Sequence, residues 1–361
     1  MPGRVNRLRR TRSDGGWAFH CGRPSAVGQT GRGREPAAPR GSRRLDAAGA
    51  PPASFRHPAR LLQGGASAMK FALHFGNNTF PDAAGAARLA RLAEAAGFDS
   101  VFAVDHVVLP ETYESVYPYA AGGRLPGSQF SAMPDPLIWM AFAAAATTRL
   151  RFMTGVIILP LRNPLVLAKQ VATLDAMSGG RIELGIGVGW LAEEFAALGV
   201  PFAERGRRAD EYVAAMRALW REDNARFAGR FVAFEGMTCT PKPVARSVPI
   251  IVGGHSEAAA RRAGRLGDGF FPSIGAQMDT MPLLDLVRRS AEAAGRDPAA
   301  IEILAGCPGA LPGSGQDPLA AVEERRRRGI GRVVLPVHAF LPDLEESLPR
   351  FGERVIRACA A

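Results

Sequence analysis

The chain has 361 residues, is 47% hydrophobic and carries a formal net charge of +11, which is enough length and apolar content for one large barrel or two ordinary domains. The charge is concentrated at one end: residues 1–68 hold 13 arginines, no lysine and three acids, a net +10, while residues 69–361 set 32 basic against 31 acidic side chains. A nearly neutral body argues against nucleic acid or anionic lipid as partners, and no apolar run reaches the roughly 18 residues that span a bilayer. Cys21, Cys239, Cys307 and Cys359 are far apart and lack metal-ligand spacing. They read as free thiols of a soluble, cytoplasmic protein without a metal site.

Residues 1–68 are rich in Arg, Gly, Pro and Ala and show no helical or strand period. Such a segment buries too little apolar surface to offset its ordering entropy, so disorder is expected. A patterned strand begins directly after Met69, which makes Met69 the expected biological start; a native tail or a targeting peptide are the other readings. The domain boundaries are therefore 1–68 and 69–361.

From Met69 the pattern alternates between strand and helix. Strands are expected at Lys70–Gly76, Ser100–Asp105, Leu150–Leu159, Arg181–Val188, Pro249–Val252, Asp268–Phe271, Ile301–Ala305 and Arg332–Pro336. Helices fall between them at Ala83–Ala96, Asp135–Thr147, Pro164–Met177, in stretches up to Trp220 after the fourth strand, and at Glu257–Leu266, Met281–Ala294 and Leu319–Arg328, with a last one at Leu344–Ala358. A hairpin is expected over Phe227–Cys239. The strands are short apolar runs such as PIIV and RVVLP, as parallel strands covered on both faces require. Eight such units predict a (β/α)8 TIM barrel. A doubly wound sheet is disfavoured, because no GxGxxG opens a helix in a first βα unit.

In such a barrel the chemistry lies at the carboxyl ends of the strands. The second strand runs into Asp105-His106. A histidine there can move a proton near neutral pH, with Asp105 orienting it, or it simply bonds the following loop. The third strand ends Thr154-Gly155-Val156, where Gly155 marks either a close backbone approach to something flat or ordinary packing. Gly187, Gly189 and Trp190 close the fourth strand; the glycines leave room for a ring or serve barrel packing. The fifth runs into Gly253-Gly254-His255-Ser256 ahead of a helix, either a seat for a phosphate or a plain turn capped by Ser256. Residues 106–133, with Tyr113, Tyr117, Tyr119 and Phe130, form a long loop that reads as a lid, a substrate wall or a dimer contact. Arg325–Arg328 reads as a solvated face, Asp175 and Arg181 as fixing the turn at Ser178-Gly179-Gly180, and His74 and His338 have no evident partner.

Four segments together, VFAVDHVVLP, TGVIILPLRNPLVLAKQVATLDAMSGGRIELGIGVGW, EEFAALGVPFAERGRRADEYVAAMRALW and PIIVGGHSEAAARRAGRLGDGFFP, resemble the bacterial luciferase-like family, and within it the deazaflavin (F-420)-dependent oxidoreductases. The resemblance implies a homodimeric TIM barrel that holds F-420 or FMN at the strand tips. It implies a non-proline cis peptide at Gly155–Val156 and a phosphate-contacting turn at Gly253–Ser256. His106 would stand beside the coenzyme as acid/base. The function implied is hydride transfer between reduced F-420 and a small organic substrate. The alternative is an FMNH2-dependent monooxygenase that uses O2 and a separate reductase; a barrel without turnover is a further alternative.

Overall fold

The computed structural model describes residues 68–120, 122–272 and 280–360, so the leader reading lies outside the described residues except at Ala68. Eight strands run in chain order: β1 (Lys70–His74), β2 (Ser100–Ala103), β3 (Arg151–Thr154, resuming at Ile157–Ile158), β4 (Ile182–Gly187), β5 (Ile250–Gly253), β6 (Gly269–Phe271), β7 (Glu302–Gly306) and β8 (Arg332–Pro336). Each pairs in parallel with the next, and β8 pairs back to β1 from Lys70 opposite Arg332 to His74 opposite Pro336. The sheet therefore closes on itself as a (β/α)8 barrel and leaves no edge strand.

Around it lie α1 (Ala83–Ala96), α2 (Pro136–Ala145), α3 (Pro164–Ser178), α4 (Ala192–Ala197), α5 (Arg205–Arg221), α6 (Glu257–Leu266), α7 (Met281–Ala293), α8 (Pro318–Arg327) and α9 (Leu344–Phe351). Three of them start on the same device. Asp135, Asn163 and Asp317 each precede a proline, and each carboxylate or amide oxygen accepts from the backbone N–H two residues on. Proline at the first helical position costs no hydrogen bond, and the Asx oxygen satisfies a donor the helix leaves open.

Side chains pointing into the barrel form a small core of their own. Ala72, Phe102, Met153, Ile251, Phe271, Leu304 and Val334 come from seven strands, and Val156 packs on top of them. Below them, at the amino ends of the strands, sits a buried ionic cluster. Arg332 is 0% exposed and contacts Glu183 at 2.6 Å, Glu302 at 2.7 Å and Asp99 at 3.3 Å, with Arg151 and Lys70 completing the balance. Burial alone would raise Glu183, but Arg332 and then Arg151 outweigh it and hold its carboxyl below the usual range.

The differences from the sequence expectations are local. The third strand is broken at Gly155–Val156, whose peptide is cis as the family resemblance implied. The first strand stops at His74 because Gly76–Thr79 turns into a helical loop. The hairpin pairs Ala225–Ala228 with Ala233–Met237. The last helix is not continuous: Pro349 lies inside α9, and Gly352–Ile356 follows as a π-helical turn. A side chain at Gly352 would collide with the Ala96 carbonyl, so the chain widens where it crosses the end of α1. Arg181 and Asp175 do secure the turn between them, Arg181 through Ser178 O and Leu150 O, Asp175 by accepting from Ile182 N.

Candidate active site

The carboxyl end of β2 delivers Asp105 and His106 in opposite directions. Asp105 is buried; it accepts from Ile158 N at 2.9 Å and from Arg162 at 2.6 Å. Burial lifts its carboxyl above the usual range although Arg162 opposes this. Arg162 also bonds Asp135 at 2.8 Å, so Asp105 ties β2 to the break in β3 and to the cap of α2. It does not orient His106, which corrects the expectation from their adjacency: successive residues at a strand end face opposite sides.

The carboxylate that meets His106 is Glu194. Its Oε2 lies 2.9 Å from Nδ1, and its Oε1 accepts from Val107 N at 2.6 Å and Val108 N at 3.3 Å. The Glu194 side chain is 0% exposed and that of His106 9%. A carboxylate that accepts from both backbone amides pairs with the Nδ1–H tautomer of His106, the form in which Nε2 is the ring's acceptor. Glu194 opens α4 directly after β4, and its neighbour Glu193 accepts from Glu114 N at 2.6 Å, Ser115 N at 3.2 Å and Ser115 Oγ at 2.7 Å. Those bonds pull the Glu193 carboxyl down to about 2, Ser115 Oγ first. The two acids therefore fasten the loop after β2 onto the loop after β4. Sequence reasoning missed both, because paired acids in the first turn of a helix read as ordinary partners of the helix dipole.

Above this base stands a run of rings. Trp190 meets His106 at 5.8 Å, Tyr113 at 5.5 Å and Tyr117 at 5.1 Å between centroids. Tyr117 meets Tyr119 at 5.4 Å, and Tyr119 meets His255 at 4.8 Å. The long loop thus joins the tips of β2, β4 and β5 through its rings. Phe130 is not part of it and is 87% exposed.

The glycines behave differently from the expectation that they leave an open slot. A methyl added to Gly187 or Gly253 would come within 2.7 Å of the Val156 side chain, and one on Gly189 would meet Phe195 at 2.6 Å. Val156 therefore fills the space over the tips of β4 and β5, and its outer side remains half-exposed. Thr154 is 0% exposed and its hydroxyl is taken up in donating to Gly185 O at 2.6 Å. Gly155 lies against Phe102 and His74. Burial, then the nearby His338, pushes His74 down to about 3, so it stays neutral beneath the Gly155 backbone.

At the tip of β5 the Gly254 amide is committed to Phe271 O at 3.1 Å. Ser256 caps α6 by accepting from Ala259 N at 3.2 Å. His255 is half-buried beside that helix end, and its Nδ1 has no partner among the described residues. Among the described residues no group of three or more His, Cys, Asp or Glu is placed to hold a metal, and no helix is long and apolar enough to cross a membrane. Cys239, Cys307 and Cys359 are free thiols, and Cys21 lies outside the described residues. Two cavities, of about 310 and 510 Å3, lie elsewhere, one lined by Asp210, Arg217 and Leu266, the other by Ser314, Ser347 and Arg350. Neither reaches His106, Val156 or Trp190.

A closed barrel with a buried acid–histidine pair, a half-exposed apolar floor and a helix end at its strand tips has the architecture of TIM-barrel enzymes, whose sites lie at that face. More narrowly, residues 52–346 match the luciferase-like monooxygenase family, and the chain belongs to it; it is an oxidoreductase of luciferase-like type. An uncharacterised protein of Mycobacterium tuberculosis is 38% identical over 208 residues, 58% of this chain and 72% of that one. An FMNH2-dependent dimethylsulfone monooxygenase of Pseudomonas putida is 37% identical over 155 residues, 42% of each chain. The solved coenzyme F420-dependent tetrahydromethanopterin reductase of Methanopyrus kandleri shares the fold, with a TM-score of 0.62 at 17% identity over 81% of this chain and 99% of that one.

Proposed function

We propose that the chain transfers a hydride between reduced coenzyme F-420 and a small organic substrate, with His106 handling the accompanying proton. The buried Glu194–His106 pair, 2.9 Å apart, carries this reading. A hydride transfer to or from a carbonyl-type carbon needs one proton partner and a dry, fixed geometry, and the pair supplies both. The residues present suit a flat coenzyme with a phosphate. Val156 offers an apolar face over Gly187 and Gly253, and the buried, unpartnered His255 Nδ1 stands beside the amino end of α6. Bound there, F-420 would supply the hydride. Glu194 keeps the proton on Nδ1, so Nε2 faces the reacting group. Trp190 and the tyrosines keep water from the same space.

Titrating the full chain with F-420 and with FMN, followed by coenzyme fluorescence, tests the choice. F-420 should bind at least tenfold more tightly, and His106→Ala should keep that affinity while hydride transfer falls by about 10²–10⁴-fold. Tighter FMN binding would move the assignment to the FMNH2-dependent monooxygenase with a separate reductase, the chemistry named for the Pseudomonas relative.

The free thiols fit a cytoplasmic location. The chain is further proposed to pair with a second copy through α2. That helix has no charged residue, and Ile138 and Phe142 remain 63% and 55% exposed on one face, a patch that two-fold symmetry would set against itself. Sedimentation should give a dimer that Ile138→Glu with Phe142→Glu converts to monomer.

A further inference from the structure

We infer that the substrate is an uncharged, flat and largely apolar organic molecule that lies against the Trp190–Tyr117–Tyr119 wall; the inference rests on the strand-tip site proposed above. The wall is a continuous run of aromatic edges and faces, with centroid spacings of 4.8–5.8 Å from His106 to His255 and no lysine, arginine or carboxylate among its members. Its two phenols stay neutral: burial first, and the neighbouring tyrosine second, pushes both Tyr117 and Tyr119 upward. Such rings bind apolar planar groups through dispersion and edge-to-face contact.

The charges around the wall are already committed. Glu193 and Glu194 each hold two backbone amides, and Asp105 holds Arg162. Arg162 in turn spans Asp105 and Asp135. Arg124 stacks over Tyr113 at 4.7 Å and donates to the Tyr113 carbonyl.

The segments that follow the strands reinforce this. Among the described residues, 74–79, 104–110, 155–161, 187–193, 253–259, 271–272, 307–316 and 337–343 contain neither lysine nor arginine, and the next cations along the chain after the second and third of these, Arg124 and Arg162, are the two already engaged. A carboxylate or phosphate on the substrate would lose its water there and find no free lysine or arginine among the described residues in return, which is strongly unfavourable. The amino end of α6 lies at the far end of the wall, next to His255, where the proposed function puts the coenzyme phosphate. A neutral ring system meets the opposite situation: no charge to desolvate, and rings to pack on.

The test is a matched pair of probes on the coenzyme-free full chain, 2-acetonaphthone and 2-naphthoate, with the same ring system and nearly the same size. Calorimetric titration should find the ketone bound at least tenfold more tightly than the carboxylate. Tyr117→Leu and Trp190→Leu should each weaken the ketone at least fivefold; two separate variants guard against one of them misfolding, which circular dichroism reads. Equal or tighter binding of the naphthoate overturns the inference, as does ketone binding that is absent or unchanged in both variants. Coenzyme titration is read separately. If neither F-420 nor FMN bound while the ketone preference held, the coenzyme reading would fail and the wall's selectivity would stand.

Discussion

Replacing Glu194 by Gln tests the acid–histidine pair with little change of shape. The carbonyl oxygen of the amide can keep Val107 N and Val108 N, now at 2.6 and 3.3 Å. The amide nitrogen then faces His106 Nδ1 and donates to it, forcing the ring proton to Nε2. The group meant to accept a proton becomes a donor. The charge is lost as well: unit charges about 4 Å apart in an effective dielectric near 20 interact by about 4 kcal/mol, which corresponds to roughly 10³ in rate if all of it supports the imidazolium. General acid–base assistance of about 10²–10⁴-fold gives the same scale. Glu194→Gln is therefore expected to lower single-turnover hydride transfer by about 10²–10³-fold while coenzyme affinity moves less than threefold. Nitrogen-15 NMR of the His106 ring should show Nδ1–H in the wild type and Nε2–H in the variant. Either a rate within threefold of wild type or an Nε2–H ring already present in the wild type would refute the role given to Glu194.

Two further predictions concern stability. His74 is buried and its pKa is held at about 3, against an ordinary 6.5, so the folded chain binds fewer protons than the unfolded chain between those values. Its contribution is complete above about pH 6.5 and is lost as the pH falls; between pH 6.5 and 5 it should amount to about 1.5 kcal/mol. Urea unfolding at the two pH values should show this difference in the wild type and not in His74→Asn; equal differences would discount the histidine. Arg332→Met leaves Glu183 and Glu302 buried without their shared cation, and urea unfolding should register a loss of about 3–5 kcal/mol. A loss below about 1 kcal/mol would mean that water or Arg151 and Lys70 compensate.

The barrel was legible in the sequence because its signals are local. Ala83–Ala96 and Glu257–Leu266 form with the bounds expected, since Asp82 and Ser256 cap them and apolar spacing does the rest. RVVLP reads as a doubly covered strand and is one. The site was legible only in part. His106, Trp190 and His255 do gather at the strand tips, yet the partner of His106 is 88 residues away, and nothing near it in sequence announces it. The same holds for the glycines. Gly187 and Gly253 are needed because Val156 leans over both, a three-way contact among residues separated by 31 to 97 positions. Periodicity and caps report on neighbours along the chain; which side chain fills a gap is decided only once the barrel has closed.

The double fastening at the start of α4 couples two properties that are separable in principle. Glu194 grips the histidine and Glu193 grips the segment that carries the tyrosines, and both spring from one six-residue helix. A small rotation of that helix would shift proton handling and molecular fit at once, in the manner of two gears on one shaft. Drift in the preferred compound would therefore register in the rate of chemistry, and sequence changes in residues 192–197 would be felt in both even when they touch neither.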